Sequence, residues 1–213
     1  GESERGLLNV LDAAAAVSRS GRRLSTLHGA AQVTKMGDVD AYVVHAHSDD
    51  GPSKWAALES WRVAFRAKKG REPKVWLDKV CVDPSSSRAT IEALPILLGG
   101  CSFLLLLVGD SWTQRLWPIT ELLIFLSMGG SPSQVQVCPL STHPEATRDM
   151  LGAFANFDVR KTACARQHDY DRLLTLLDTG FGSSELRFNA AARSALAECV
   201  EATRLAAALN EAG

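Results

Sequence analysis

The chain has almost no net charge, no closely spaced cysteines and no long apolar run without a break. Its 23 Lys and Arg nearly balance 24 Asp and Glu, for a formal net charge of −1. This balance gives no electrostatic reason to expect binding to nucleic acid or to acidic membranes. The five cysteines are scattered and odd in number, so we expect reduced thiols in a cytoplasmic protein rather than a disulfide framework.

The sequence predicts neither a secretory leader nor a membrane span. The N-terminal residues GESERGLL lack the pattern of a signal peptide. The most apolar stretch, ALPILLGGCSFLLLLVG, is interrupted by Pro95, Gly99, Gly100 and Ser102. Because a transmembrane helix needs about 20 consecutive apolar residues, we interpret this stretch as a helix end, a turn and a buried strand.

Short strands alternate with helices, which predicts βαβ units and a parallel sheet. The segments AYVVH and FLLLLV are typical strands, and an all-apolar strand is expected where both faces of a sheet are covered. Predicted strands span 41–45, 74–78, 103–108 and 134–138, and predicted helices span 54–70, 89–98, 118–129, 169–177 and 187–212. Ligands bind such folds beyond the carboxyl ends of the strands.

Polar side chains collect at the carboxyl ends of the first three predicted strands. They are His45, His47, Ser48, Asp49 and Asp50 after the first, Asp78, Lys79 and Asp83 after the second, and Asp110 and Ser111 after the third. We expect the functional site at this edge of the sheet.

The segment RLWPITELLIF places one carboxylate, Glu121, in an otherwise apolar helix. Pro118 suits the first turn of that helix, and Trp117 lies one turn before Glu121 on the same face. An ionised carboxylate in such surroundings is costly unless it is paired. A structural role would pair Glu121 with Arg115 or with backbone amides, whereas a functional role would expose it to a ligand.

The sequence offers ligands for two metal sites, but it predicts neither. Asp49, Asp50 and Asp110 could hold Mg²⁺ in a phosphoacceptor domain, but that chemistry needs a hydroxyl group after the fourth strand, where Pro139 and Leu140 stand. We expect the turn acids to cap the first helix instead, at which Ser53 is a further capping candidate.

Zinc ligation by His45 and His47 with Cys81 is the second metal site considered. It lacks an accompanying Cys-x-x-Cys pair, so we expect no metal there. Covalent hydrolase chemistry is equally unsupported, because the sequence contains neither Gly-x-Ser-x-Gly nor a Cys-His arrangement.

Three segments resemble the Toll/interleukin receptor (TIR) domain family, and their residues are most similar to those of TIR-like proteins of protists and algae. DAYVVHAHSDD resembles the first strand and its acidic turn, and KVWLDKVCVD resembles the second strand and the loop used for assembly. SWTQRLWPITELLIF resembles the third-helix motif, usually Trp-Cys-x-x-Glu-Leu. Here Pro118 replaces the usual Cys, and Val44 stands where Ser is common.

The resemblance implies a flavodoxin-like α/β domain over 39–165, covered by helices on both faces, with a helical arm at 1–38 and a helical extension at 166–213. Enzymatic members cleave NAD at the nicotinamide–ribose bond, and the matching catalytic residue is Glu121. Residues expected to bind NAD are Trp117, His45, His47, Ser48, Asp49 and Asp110. NAD would be a substrate, with no cofactor. Other members are assembly modules, which implies self-association through the loop after Asp78.

Overall fold

A computed structural model describes residues 34–35, 37–81, 87–141, 143–181 and 184–211. Almost all of the predicted arm at 1–38 lies outside the described residues. The same holds for residues 82–86, the central part of the loop predicted to govern self-association.

The centre of the fold is a four-stranded parallel sheet. Its strands are β1 (Val39–His45), β2 (Val75–Trp76), β3 (Cys101–Val108) and β4 (Val135–Pro139). They lie in the order β2-β1-β3-β4, and each neighbouring pair is parallel. This matches the first four positions of the flavodoxin-like order, so the predicted fold class is confirmed.

Seven α-helical segments connect or follow the strands in the described part of the chain. They are α1 (Gly51–Lys69), α2 (Asp78–Cys81), α3 (Ser87–Gly99), α4 (Leu116–Ser127), α5 (Pro144–Ala155), α6 (Gln167–Phe181) and α7 (Glu185–Glu211). No described helix is both long and apolar enough to cross a membrane.

Both faces of the sheet are covered, because successive side chains of a strand point to opposite faces. On one face, Leu105 and Leu107 of β3 pack with Leu58 and Phe65 of α1. On the other face, Leu104 and Leu106 belong to a larger core, and side chains of α3, α4, α6 and α7 complete it. The four leucines are at most 2% exposed, as the apolar run predicted.

Helix α7 also protects the edge of the sheet. The hydroxyl group of Thr203 accepts a hydrogen bond from the Val137 amide at 3.0 Å and lies 3.3 Å from the Val135 carbonyl oxygen. An edge strand otherwise presents such backbone groups to other chains. The C-terminal extension therefore packs directly on β4.

Several element boundaries differ from the sequence-based prediction. Strand β2 has two residues, and its predicted end at Asp78 instead begins the short helix α2, which was predicted as loop. Helix α5 was not predicted. Asp50 rather than Ser53 caps α1: its carboxylate accepts hydrogen bonds from the Ser53 amide at 2.8 Å and hydroxyl at 2.6 Å.

Candidate functional site

Parallel strands end at a common edge, and the structure gathers most of the predicted site residues there in two hydrogen-bonded groups. One group is centred on Asp78, after β2, and the other on Ser111, after β3. Glu121 lies apart from both, within the larger core, although the negative charge of Asp78 still acts on it.

Glu121 is buried and accepts a hydrogen bond from a tyrosine. The residue is 8% exposed, and its Oε1 atom lies 2.7 Å from the hydroxyl oxygen of Tyr42. Burial raises the pKa of Glu121 to about 8; the Tyr42 hydrogen bond opposes this rise, and the charge of Asp78 adds to it. In the free protein at neutral pH, Glu121 is therefore mainly protonated.

The position of Tyr42 follows from the alternation of β1, which directs its side chain into the larger core with Val44. Its ring stacks on Trp76 of β2, with the ring centroids 4.3 Å apart and the planes 11° from parallel. Glu121 is thus held by Tyr42, and not by Arg115 or backbone amides, among the hydrogen bonds and ion pairs of the described residues.

His45 and His47 both contact the carboxylate of Asp78. The Nε2 atom of His45 lies 2.9 Å from Asp78 Oδ1, and that of His47 lies 2.6 Å from Oδ2. The two rings stack at 5.0 Å with their planes 20° apart. Burial raises the pKa of Asp78, but the hydrogen bonds with the histidines outweigh it and hold the pKa well below its usual range.

A buried lysine fixes the turn that carries His47. The Nζ atom of Lys54, on α1, donates to the carbonyl oxygen of Ala46 at 2.9 Å and to that of His47 at 3.3 Å. The residue is only 9% exposed. Because a buried ammonium group requires good acceptors, this contact restricts the backbone that presents the two imidazoles.

The second group joins the turn after β1 to the turn after β3. Asp49 Oδ1 accepts hydrogen bonds from the Ser111 amide at 2.9 Å and from its hydroxyl at 2.7 Å, and the Ser48 and Ser111 hydroxyl oxygens lie 2.6 Å apart. The Asp49 carboxyl group lies against Gly109, where a Cβ atom would overlap it. Its Oδ2 atom is buried and has no hydrogen-bond partner in the described part of the chain.

The other predicted site residues lie outside these groups. Trp117 is half-buried and packs against the larger core. Asp110 is exposed, and its backbone carbonyl is 3.5 Å from Gln114 Nε2. Asp50 caps α1, as predicted for the turn acids, whereas Asp49 accepts its hydrogen bonds from Ser111.

The sequence did not predict the residue that contacts Glu121, nor the importance of two other residues at this edge. Tyr42 was assigned only to a strand, although a hydroxyl group in a buried strand requires a hydrogen-bond partner. Asp78 and Ser111 were placed at the correct edge but were not selected as site residues. The relevant signal was their position directly after a strand, opposite the polar turn of β1.

A scan against protein-family models and searches of curated proteins and of solved structures found no match to this chain. The geometry itself supplies three chemical features. These are a buried neutral carboxyl group at Glu121, an imidazole pair at His45 and His47, and the ionised carboxylate of Asp78, which contacts the Nε2 atom of both rings.

Proposed function

We propose that this chain is a TIR-like enzyme that cleaves NAD at the nicotinamide–ribose bond, with Glu121 as its essential group. The resemblance of its strand, loop and third-helix segments to TIR domains supports the proposal. The flavodoxin-like strand order is compatible with it. Fold alone never establishes activity, so Glu121 is the residue on which catalysis would depend.

The burial of Glu121 without a cationic partner is the observation that carries the proposal. No described residue forms an ion pair with it, and its hydrogen-bond partner is the neutral Tyr42 hydroxyl. Such a group lowers stability once it ionises, and ionisable groups with strongly shifted pKa values concentrate at functional sites. A positive charge brought beside it would lower its pKa again and would be bound favourably.

NAD cleavage would supply that positive charge. The nicotinamide ring is cationic, and as it departs with the bonding electrons the positive charge moves to the ribose, as in a glycosidase transition state. An ionised Glu121 stabilises this charge, most strongly where water is excluded. Water then adds to the ribose carbon and loses a proton, which gives ADP-ribose and free nicotinamide. Trp117, one turn before Glu121 on the same helix, would stack on a ring of NAD.

Free nicotinamide released from NAD by concentrated protein is the direct test. We expect release by the wild type and by Glu145→Gln, an exposed glutamate on α5 that serves as the matched control. Glu121→Gln should release nicotinamide about 100- to 1,000-fold more slowly, the loss typical of removing one key electrostatic group. An inert wild type together with a destabilised Glu121→Gln protein would refute the proposal.

The second candidate is a non-enzymatic TIR-like module that acts by self-association. The near-complete burial of Glu121 favours it, because a ligand reaches this carboxyl group only if the covering side chains move. Asp83→Arg, in the segment that the sequence predicts as a loop, would then change self-association without loss of stability, since loops tolerate substitution. Sedimentation at high concentration, with Glu145→Gln as control, measures this. An unchanged association of the mutant would remove the loop from the interface.

A further inference from the structure

We propose that His45, His47 and Asp78 form a binding site for Zn²⁺. Each residue offers one ligand atom, and the three atoms lie within 4.8 Å of one another. The proposal does not depend on NAD cleavage.

The β-strand geometry brings the two imidazoles together. Residues at i and i+2 of an extended chain point to the same side, so His45 at the end of β1 and His47 just beyond it can present their rings in parallel. The observed stacking at 5.0 Å agrees with this arrangement. Both Nε2 atoms consequently face the same carboxylate, that of Asp78, which begins α2 just after the neighbouring strand β2.

The distances are close to those of a metal site. Tetrahedral ligands about 2.0–2.2 Å from zinc lie about 3.3 Å from one another. Here the Nε2 atoms of His45 and His47 lie 2.9 and 2.6 Å from the two oxygens of Asp78. An ion entering between them therefore requires only a small separation of groups that are already positioned.

The identity of the ligands favours zinc over magnesium or calcium. Two imidazole nitrogens and one carboxylate suit zinc and its neighbours in the first transition series, whereas magnesium and calcium prefer oxygen ligands. Asp78 thus takes the place that Cys81 held in the zinc site considered from the sequence.

Exposure provides both an entrance and a place for a fourth ligand. The His45 side chain is 4% exposed, whereas those of Asp78 and His47 are 31% and 59% exposed. The site is therefore anchored on its inner side and open to water on its outer side. Zinc sites with an open fourth position are coordinated by three protein ligands and one water molecule. Lys54 restrains the turn through the Ala46 and His47 carbonyl oxygens, which limits the reorganisation needed on binding.

Calorimetric titration of the protein with Zn²⁺ alone tests the site. We expect one equivalent to bind the wild type, and His47→Ala to weaken binding by more than about tenfold, since even outer-shell losses cost 10- to 100-fold. The matched control is His143→Ala, which removes an exposed histidine at the start of α5. Binding to this control should equal that of the wild type. Magnesium should produce no heat of binding at the same concentration.

Two further measurements keep the result interpretable. Because His47 is exposed, His47→Ala should retain the wild-type circular dichroism, and Asp78→Asn provides a second loss of one ligand. Co²⁺ bound to the wild type should give visible absorption bands of a four-coordinate site, and these bands should be absent with His47→Ala. Equal zinc affinity in wild type and His47→Ala, or no stoichiometric binding by the wild type, would overturn the proposal.

Discussion

The Tyr42 hydroxyl group donates a 2.7 Å hydrogen bond to Glu121 and so joins the first strand to α4 inside the larger core. The tyrosine ring is itself fixed by stacking on Trp76. This contact places a carboxyl group where water hardly reaches, yet leaves it without a cationic partner among the described residues. The state of that carboxyl group therefore depends on pH, and so should the stability of the fold.

Glu121→Gln should stabilise the protein increasingly as the pH rises. Burial raises the folded-state pKa of Glu121 from 4.5 to about 8. The folded state then holds the proton more tightly than the unfolded state. The contribution of protonated Glu121 to the free energy of unfolding is therefore fully present below the unfolded pKa and is lost as the pH rises through the folded pKa. The free energies of unfolding of mutant and wild type, measured in urea, should agree at about pH 4. At about pH 8 the mutant should be more stable by several kcal/mol. A difference that does not vary with pH would contradict this.

Tyr42→Phe should destabilise the fold and make Glu121 harder to ionise. The substitution keeps the ring that stacks on Trp76 but removes the donor to a buried acceptor, which costs about 1 to 3 kcal/mol. Loss of that donor raises the pKa of Glu121 further, so any NAD cleavage should move to higher pH. Tyr170→Phe, at the half-buried second tyrosine, is the control. Identical pH profiles for Tyr42→Phe and wild type would exclude a role for the hydrogen bond.

Leu106→Asp should abolish soluble folded protein. Leu106 is 0% exposed in a strand that is covered on both faces, so the new carboxylate would be buried without a partner. Ser102→Asp places the same group at an exposed position of β3 and should be tolerated. Circular dichroism and yield of soluble protein compare the two. A native spectrum from Leu106→Asp would show that β3 is not a strand buried on both faces.

Gly109→Ala should disrupt the contact between the turns after β1 and β3. A Cβ atom at this position would overlap the Asp49 carboxyl group and displace it from the Ser111 amide and hydroxyl. We expect a loss of about 1 to 3 kcal/mol in unfolding free energy, because the displaced groups lose their partners. Gly152→Ala, with open space around the helical position, should instead stabilise by about 0.5 to 1 kcal/mol. Similar effects of both substitutions on chemical denaturation would refute this account.

Local residue patterns determined the layered architecture. The run FLLLLV predicted a strand covered on both faces, and β3 is such a strand. Helix α5 escaped prediction because much of its surface is exposed, and Phe154 is its one buried residue among those described. Strand β2 is shorter than predicted because the chain turns into α2 at Asp78, and local propensity does not fix where strand pairing stops.

By itself the sequence determined that polar residues would collect at the carboxyl edge, because parallel strands must end together. Only the tertiary structure decided which of them meet. Glu121 and Tyr42 are 79 positions apart, and the contact exists because helix α4 packs across β1. Likewise, Asp78 faces His45 and His47 because β2 pairs with β1 in one register. Such pairings arise from packing between elements distant in sequence, which local spacing does not encode.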